Sequence, residues 1–194
     1  MCVASGSAAA GGIVAVTGCT SGLGLNLCLE FMRRGFTVAG CGRRQELIDE
    51  LNAEHGAGGH RFYVADSSNA DSVSAWSEAV RSDLGCPDVL VNNAGLGGAG
   101  KLPWKMDDER FGQVIDTNVK GVFYGCKYFV QAMLDDLVDR PERAVIKRVI
   151  NISSGVGHST SPVQADYSAS KWGVEVRRTH EQDPAPPHSA YHSA

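Results

Sequence analysis

Short apolar runs alternate with amphipathic stretches along most of this 194-residue chain, and that alternation limits the folds open to it. Ile13, Val14, Ala15 and Val16 form a continuous apolar run, as in a strand covered on both faces. Residues 22–34 follow with Leu23, Leu27 and Phe31 at helical spacing, and Gly35 stops them. The pattern then predicts a strand over 36–41, a helix over 45–54, a strand over 61–65, a helix over 69–84 and a strand over 89–91. A short helix over 107–116 and the longest helix, over about 118–138, come next. A fifth strand over 144–152 and a last helix over 166–177 complete the series. Five strand–helix units in succession require parallel strands joined by right-handed crossovers. The expected fold class is therefore α/β, a doubly wound parallel sheet without internal repeat or domain-splitting linker.

Composition narrows the function. Hydrophobic residues make up 43% and charged residues 21%, enough apolar surface for a core. A net charge of −4 excludes a broad electrostatic footprint for nucleic acid or anionic membrane. No apolar stretch approaches the roughly 20 residues of a membrane span. The six cysteines form no CxxC pair and no zinc spacing with histidine, so no metal site is expected. They read as reduced thiols in a cytoplasmic protein. Residues 1–12, rich in Ala, Gly and Ser, read as a flexible lead; residues 177–194, with three prolines and no Leu, Ile, Val, Phe or Met, read as a disordered tail.

Glycine is over-represented, at 23 residues, so backbone approach and tight turns should matter. The first strand runs into Thr17-Gly18-Cys19-Thr20-Ser21-Gly22-Leu23-Gly24 and then a helix. Glycines in a strand-to-helix turn let the backbone approach a pyrophosphate, while the helix start supplies N–H donors. No Lys-Ser or Lys-Thr follows, so this is not a triphosphate P-loop. The second strand ends in Arg43 and Arg44, with no acidic residue before Glu46. A carboxylate there would hold the ribose 2′-hydroxyl of NAD; arginine pairs instead with the 2′-phosphate of NADP. The fourth strand ends in Asn92-Asn93-Ala94-Gly95, small and polar. Tyr167 and Lys171 lie four apart on one helical face, where an ammonium favours the phenolate form of a phenol. Such a pair is a proton donor or acceptor. Ser154, just past the fifth strand, is placed to hydrogen-bond a substrate oxygen.

Taken in order, the glycine turn, Asn92 to Gly95, Asn118, Ile152-Ser153-Ser154 and Tyr167-x-x-x-Lys171 resemble the short-chain dehydrogenase/reductase family, whose fold is of Rossmann type. The resemblance covers residues 13–176. It implies an oxidoreductase that moves hydride between NADP(H), preferred over NAD(H), and a carbonyl or alcohol substrate. In that reading Tyr167 is the acid/base and Lys171 holds the nicotinamide ribose. Ser154 steadies the carbonyl, and Asn118 holds a water in the proton relay. Gly18, Thr20, Ser21, Gly22, Leu23 and Gly24 cradle the phosphates, with Arg43 and Arg44 on the 2′-phosphate. Asp66 touches adenine, Asn93, Ala94 and Gly95 line the adenosine side, and Ile152 the nicotinamide. Read from the residues alone, Asn118 is also a candidate helix N-cap and Asp66 a candidate cap of the helix after it.

Past Glu175 the sequence departs from the family. The sixth strand with its Pro-Gly carboxamide turn, the substrate-binding segment and the seventh strand are not recognisable. The change is of the kind made by a frame shift, an alternative exon or a mis-assigned gene model. The family's homodimer or homotetramer, built on the long helix and the Tyr/Lys helix, is accordingly doubtful for this chain. Segments 96–104 and 155–164 remain as pocket walls, with Trp104, His158 and Pro162. The alternative reading is a non-catalytic member that binds NADP or a partner.

Overall fold

The computed structural model describes residues 11–140, 146–159 and 161–182, the side chains from 176 onward excepted. The elements are β1 (Ile13–Thr17), α1 (Gly22–Arg33), β2 (Thr37–Gly42), α2 (Gln45–His55), β3 (Arg61–Val64), α3 (Ala70–Asp83) and β4 (Val89–Asn92). After these come α4 (Asp108–Ile115), α5 (Gly121–Gly125), α6 (Gln131–Asp139), β5 (Arg148–Asn151) and α7 (Ala165–Gln182). The five strands form one parallel sheet in the order β3-β2-β1-β4-β5. The chain reverses its direction of travel across the sheet between β1 and β4, so a crevice opens at their carboxyl ends.

Period-2 alternation divides the core into two layers. Val14, Val16, Val38, Val89 and Val91 face α1 and α2 through Cys28, Ile48 and Leu51. The intervening Ala15, Ala39, Cys41 and Leu90 face α3 and the long helix through Val73, Trp76, Val80 and Phe129. On that second side α7 is seated by Val174 against Val122 and Cys126. Cys19, Cys28, Cys41, Cys86 and Cys126 are free and buried; burial pushes the Cys19 thiol up to about 12 and keeps it protonated.

Opposite the crevice, the sheet is tied by charge. Lys147 Nζ lies 2.9 Å from Asp88 Oδ1 and 2.7 Å from Asp136 Oδ2, all three side chains buried. Asp88 Oδ2 also accepts the Ile13 N–H at 3.0 Å, so β1, β4 and α6 meet on one carboxylate pair. Lys147 therefore fills the requirement that a buried carboxylate be paired.

Three boundaries differ from the sequence reading. The helices expected over 107–116 and 118–138 are one helical run from 108 to 139, because nothing between them breaks a helix. It is interrupted only by π turns at Asp116–Lys120 and Cys126–Val130. The fifth strand is Arg148–Asn151, as long as the β4 ladder it pairs with, and not 144–152, of which 144 and 145 lie outside the described residues. The last helix continues to Gln182 and not to 177, which corrects the disordered tail over 177–182. Arg, Glu and Gln sustain a helix without burial, and the first breaker is Pro184. The flexible lead over 1–10 and the tail from 183 lie outside the described residues. Among the described residues no helix is long and apolar enough to cross a membrane.

Phe129 is fully buried with its ring centroid 4.7 Å from that of Trp76. Phe129→Ala is expected to cost about 3–5 kcal/mol of stability, measured by urea unfolding. A loss under about 1 kcal/mol would contradict its place at the centre of this layer.

Candidate active site

The crevice is a cleft of about 400 Å³ at the carboxyl ends of β1, β2 and β4. Of the residues singled out from the sequence, Gly18, Thr20, Ser21, Leu23, Gly24, Arg43, Arg44, Asp66, Asn93, Ala94 and Gly95 line it. Gly22, at φ +55°, belongs to the same turn but is not in the cleft wall. Leu96, the first residue of the expected pocket wall 96–104, also lines it, and so do Ser67 and Thr117, which were not anticipated. The signal of Ser67 and Thr117 is their position just past β3 and in the first π turn, which sequence spacing does not resolve.

The glycine turn has the close approach expected of it. Gly18 adopts φ +71°. A Cβ on Gly24 would lie 2.1 Å from the Gly18 carbonyl oxygen, so α1 starts directly against the turn. Ser21 occupies the N-cap of α1 but makes no side-chain capping bond, and the first turn carries no acid. The leading N–H groups of α1 thus remain available to an anion at the cleft. Arg43 and Arg44 are exposed at the mouth and make no ion pair among the described residues. Bare backbone, open helix donors and two unpaired guanidinium groups form a donor set suited to a dinucleotide carrying a 2′-phosphate.

Thr17 organises this end of the sheet. Its Oγ1 accepts the Asn93 and Ala94 N–H groups, both at 2.9 Å. Asn93 Nδ2 returns bonds to the carbonyls of Thr17 at 2.9 Å and Gly18 at 3.3 Å. Asn93 is therefore a brace between β4 and the glycine turn as well as a wall of the cleft. Thr17 heads the sequence motif, yet its type alone gives no sign of this role.

The groups proposed for chemistry stand beside the cleft and not among its lining residues. Lys171 is buried, and its Nζ donates to the Ile152 carbonyl at 2.7 Å. The same Nζ lies 5.6 Å from the Tyr167 ring centroid. Ile152 in turn donates its N–H to Asn92 O at 2.9 Å, which holds the segment after β5 in register with β4. Burial lowers the Lys171 pKa below its ordinary 10.5. Ser154 is half-buried at the start of a 3₁₀ turn over Gly155–Gly157, and its hydroxyl has no partner among the described residues.

Two residues play structural parts other than those open to them. Asn118 is not a helix cap and does not open a helix. It lies inside the π turn Asp116–Lys120 with 1% exposure. Its Oδ1 accepts the Leu96 N–H at 2.7 Å, and its Nδ2 donates to Leu96 O and Ser170 Oγ, each at 2.9 Å. Both amide protons are thus committed. Asp66 does not cap α3; Asn69 does, accepting the Ser72 N–H. Asp66 Oδ1 instead accepts from the N–H and hydroxyl of Ser68, at 2.9 and 2.7 Å, which fixes its carboxylate at the cleft wall.

A family model described as short chain dehydrogenase matches residues 12–182, past the limit of the sequence resemblance. The NADPH-dependent pterin aldehyde reductase of Arabidopsis thaliana is 38% identical over 173 residues, covering 89% of this chain and 68% of that protein. The 3beta-hydroxysteroid dehydrogenase of Mediterraneibacter gnavus is 35% identical, with 84% of this chain and 56% of that protein covered. Among solved structures, a single-residue variant of actinorhodin polyketide ketoreductase with NADPH superposes with TM-score 0.78 at 31% identity. That match covers 88% of this chain and 63% of the ketoreductase. A metagenomic short-chain oxidoreductase in complex with NADP also gives TM-score 0.78, at 29% identity, over 90% of this chain and 76% of that one.

The buried ammonium has a consequence for stability. With its pKa lower in the folded chain than in the unfolded one, Lys171 favours unfolding by its charge below the folded pKa. That cost is relieved as pH rises through the folded pKa toward 10.5. Lys171→Met is therefore expected to gain stability relative to the parent at pH 7, the difference shrinking toward pH 10.5 in thermal melts. A difference that grows with pH would contradict the burial of a charged lysine.

Proposed function

The chain belongs to the short-chain dehydrogenase family, and from that premise we propose that it is an NADP(H)-preferring oxidoreductase acting on a small carbonyl or alcohol. The observation that carries this reading is the placement of buried Lys171 beside Tyr167, held to the Ile152 carbonyl at the edge of the glycine-lined cleft. The relative named for NADPH, and the structures solved with NADPH or NADP, support the choice of cofactor. The site is expected in a cytoplasmic protein, as the buried free thiols suit a reducing compartment.

When bound, the nicotinamide supplies or accepts the hydride. Gly18, Thr20, Ser21 and Gly24 would take the phosphates against the N–H groups of α1, with Gly22 and Leu23 shaping the turn. Arg43, with Arg44 beside it, would hold the 2′-phosphate. Asp66, Asn93, Ala94 and Gly95 would flank the adenosine, and Ile152 the nicotinamide. In the reducing direction Tyr167 Oη gives its proton to the carbonyl oxygen as that oxygen gains charge, and in the oxidising direction it removes the proton from the alcohol. Ser154 Oγ donates to the same oxygen and fixes its position. Lys171 keeps two Nζ protons beyond the one given to Ile152, one for the ribose and one for the path that restores the Tyr167 proton. Asn118 would join that path through a water on its second Oδ1 lone pair or on its main-chain carbonyl, since its amide protons are already used.

Tyr167→Phe is expected to abolish turnover while leaving NADPH affinity within about twofold, because only the transferable proton is lost. Steady-state rates with a fluorescence titration of NADPH measure both, and unchanged turnover would remove Tyr167 from its role. The parent chain is expected to bind NADPH about ten- to a hundredfold more tightly than NADH, the worth of a charge-assisted contact. Arg43→Ala should narrow that ratio in the same titration. Equal affinities in the parent would overturn the arginine assignment, and an unchanged ratio in Arg43→Ala would move it to Arg44.

A further inference from the structure

We propose that Asp166 is a positioning residue whose buried carboxylate fastens the loop 96–99 to the first turn of α7 and so sets where Tyr167 stands against the cleft. Its part in the reaction rests on the assignment of Tyr167 as the acid/base. The fastening itself rests on geometry.

Asp166 has 0% exposure. A carboxylate removed from water needs partners, and this one has no ion pair among the described residues. Backbone amides serve instead. Oδ1 accepts the Tyr167 N–H at 2.8 Å, and Oδ2 accepts the Ala99 N–H at 2.9 Å. One oxygen thus serves the start of α7 and the other the loop. A helix that needed only an end cap would be served by serine or asparagine at the surface, without burying a charge. The carboxylate differs from both in offering two acceptor oxygens and no donor. That is what two converging N–H groups require.

The loop is shaped to receive it. A Cβ on Gly98 would lie 3.0 Å from Asp166 Oδ1 and 3.1 Å from Tyr167 Cβ, so glycine lets the loop rest against this turn, and a side chain there would press both groups by a few tenths of an ångström. Leu96 is held at both its N–H and its carbonyl by Asn118, and the Gly97 carbonyl accepts from Arg110 Nη2 at 2.7 Å. These three bonds come from the long helix. Among the described residues Asp166 makes the direct bond from this loop to the first turn of the helix that carries Tyr167, while Asn118 reaches that helix one turn further on, at Ser170 Oγ. Since Leu96 is also part of the cleft wall, the carboxylate joins the segment carrying that wall directly to the turn that holds Tyr167.

The test reads position directly and uses the 194-residue chain. Amide hydrogen exchange is followed at Ala99, and the 13Cζ signal of Tyr167, identified by its loss in Tyr167→Phe, is followed in tyrosine-labelled protein. In Asp166→Ala the Ala99 amide is expected to exchange at least about tenfold faster, the worth of one charge-assisted bond, with β1 and β4 unchanged. The Tyr167 signal is expected to shift or split. Asp166→Asn, with one acceptor left, should fall between the two. Gly98→Ala pushes the loop away from the opposite side and should disturb the same two signals, which keeps the test decisive if Asp166→Ala does not fold. Where turnover is measurable, kcat is expected to fall about ten- to a hundredfold with NADPH affinity within about twofold. Unchanged Ala99 exchange together with an unmoved Tyr167 signal, in Asp166→Ala or in Gly98→Ala, would overturn the proposal whatever the activity. Failure of the acid/base reading shows separately, as turnover retained in Tyr167→Phe.

Discussion

The site depends on one side-chain oxygen. Thr17 Oγ1 accepts two consecutive backbone N–H groups, those of Asn93 and Ala94, where β1 and β4 run out side by side. Parallel strands diverge past their last ladder bond, and the sheet twist widens the gap. Thr17 bridges that gap, and Asn93 closes it from the other side by donating to the Thr17 and Gly18 carbonyls. The glycine turn is thereby held against the β4 exit, which gives the cleft two walls with a fixed spacing. The Lys147, Asp88 and Asp136 cluster does the corresponding work at the amino ends of the strands. With β1 pinned to β4 at both ends, the crevice between them becomes a rigid feature of the fold.

What could be read from sequence was whatever has a local period or a local turn chemistry. The five strands and the helices around them followed from apolar spacing, because covered strands and amphipathic helices leave that mark on composition. The glycine turn and the arginines after β2 were legible for the same reason: Gly24 must be glycine to meet the Gly18 carbonyl, and strand ends are local. The π turns were not legible. Each adds one residue to a helical turn without a breaker, so the run from 108 to 139 reads as two helices with a gap near Thr117. Asn118 was placed at a helix end; only the fold shows it turned inward onto Leu96, 22 residues earlier in the chain. Asp66 and Asn69 were equally good caps by type, and the helix start chose Asn69. Thr17, Asp88 and Asp166 act through partners more than 60 residues away, which no local pattern encodes.

The side that carries Tyr167 and Lys171 shows how much unfavourable burial the fold sustains. Lys171 is an ammonium with 5% exposure, and Asp166 a carboxylate with none, on adjoining turns of α7. Each is satisfied by backbone: Lys171 by the Ile152 carbonyl, Asp166 by the Tyr167 and Ala99 amides. Neither is a good choice for stability alone, since apolar replacements of buried charges are often neutral or stabilising. Under the proposed function both act as fixtures that set the position of Tyr167 beside the cleft. The π turn carrying Asn118 belongs with them, linking Leu96 of the cleft wall to Ser170, whose hydroxyl donates to the Tyr167 carbonyl at 2.8 Å.

Hydride movement is the claim on which the functional account stands, and isotope tracing tests it most directly. The purified chain is incubated with NADPH deuterated at the transferable C4 position and with a panel of aldehydes and ketones, cyclohexanone among them, and the products are read by mass spectrometry and NMR. The account predicts deuterium on the carbinol carbon of at least one product, with the hydroxyl proton drawn from solvent. Binding of the cofactor without deuterium reaching carbon in any product would contradict it.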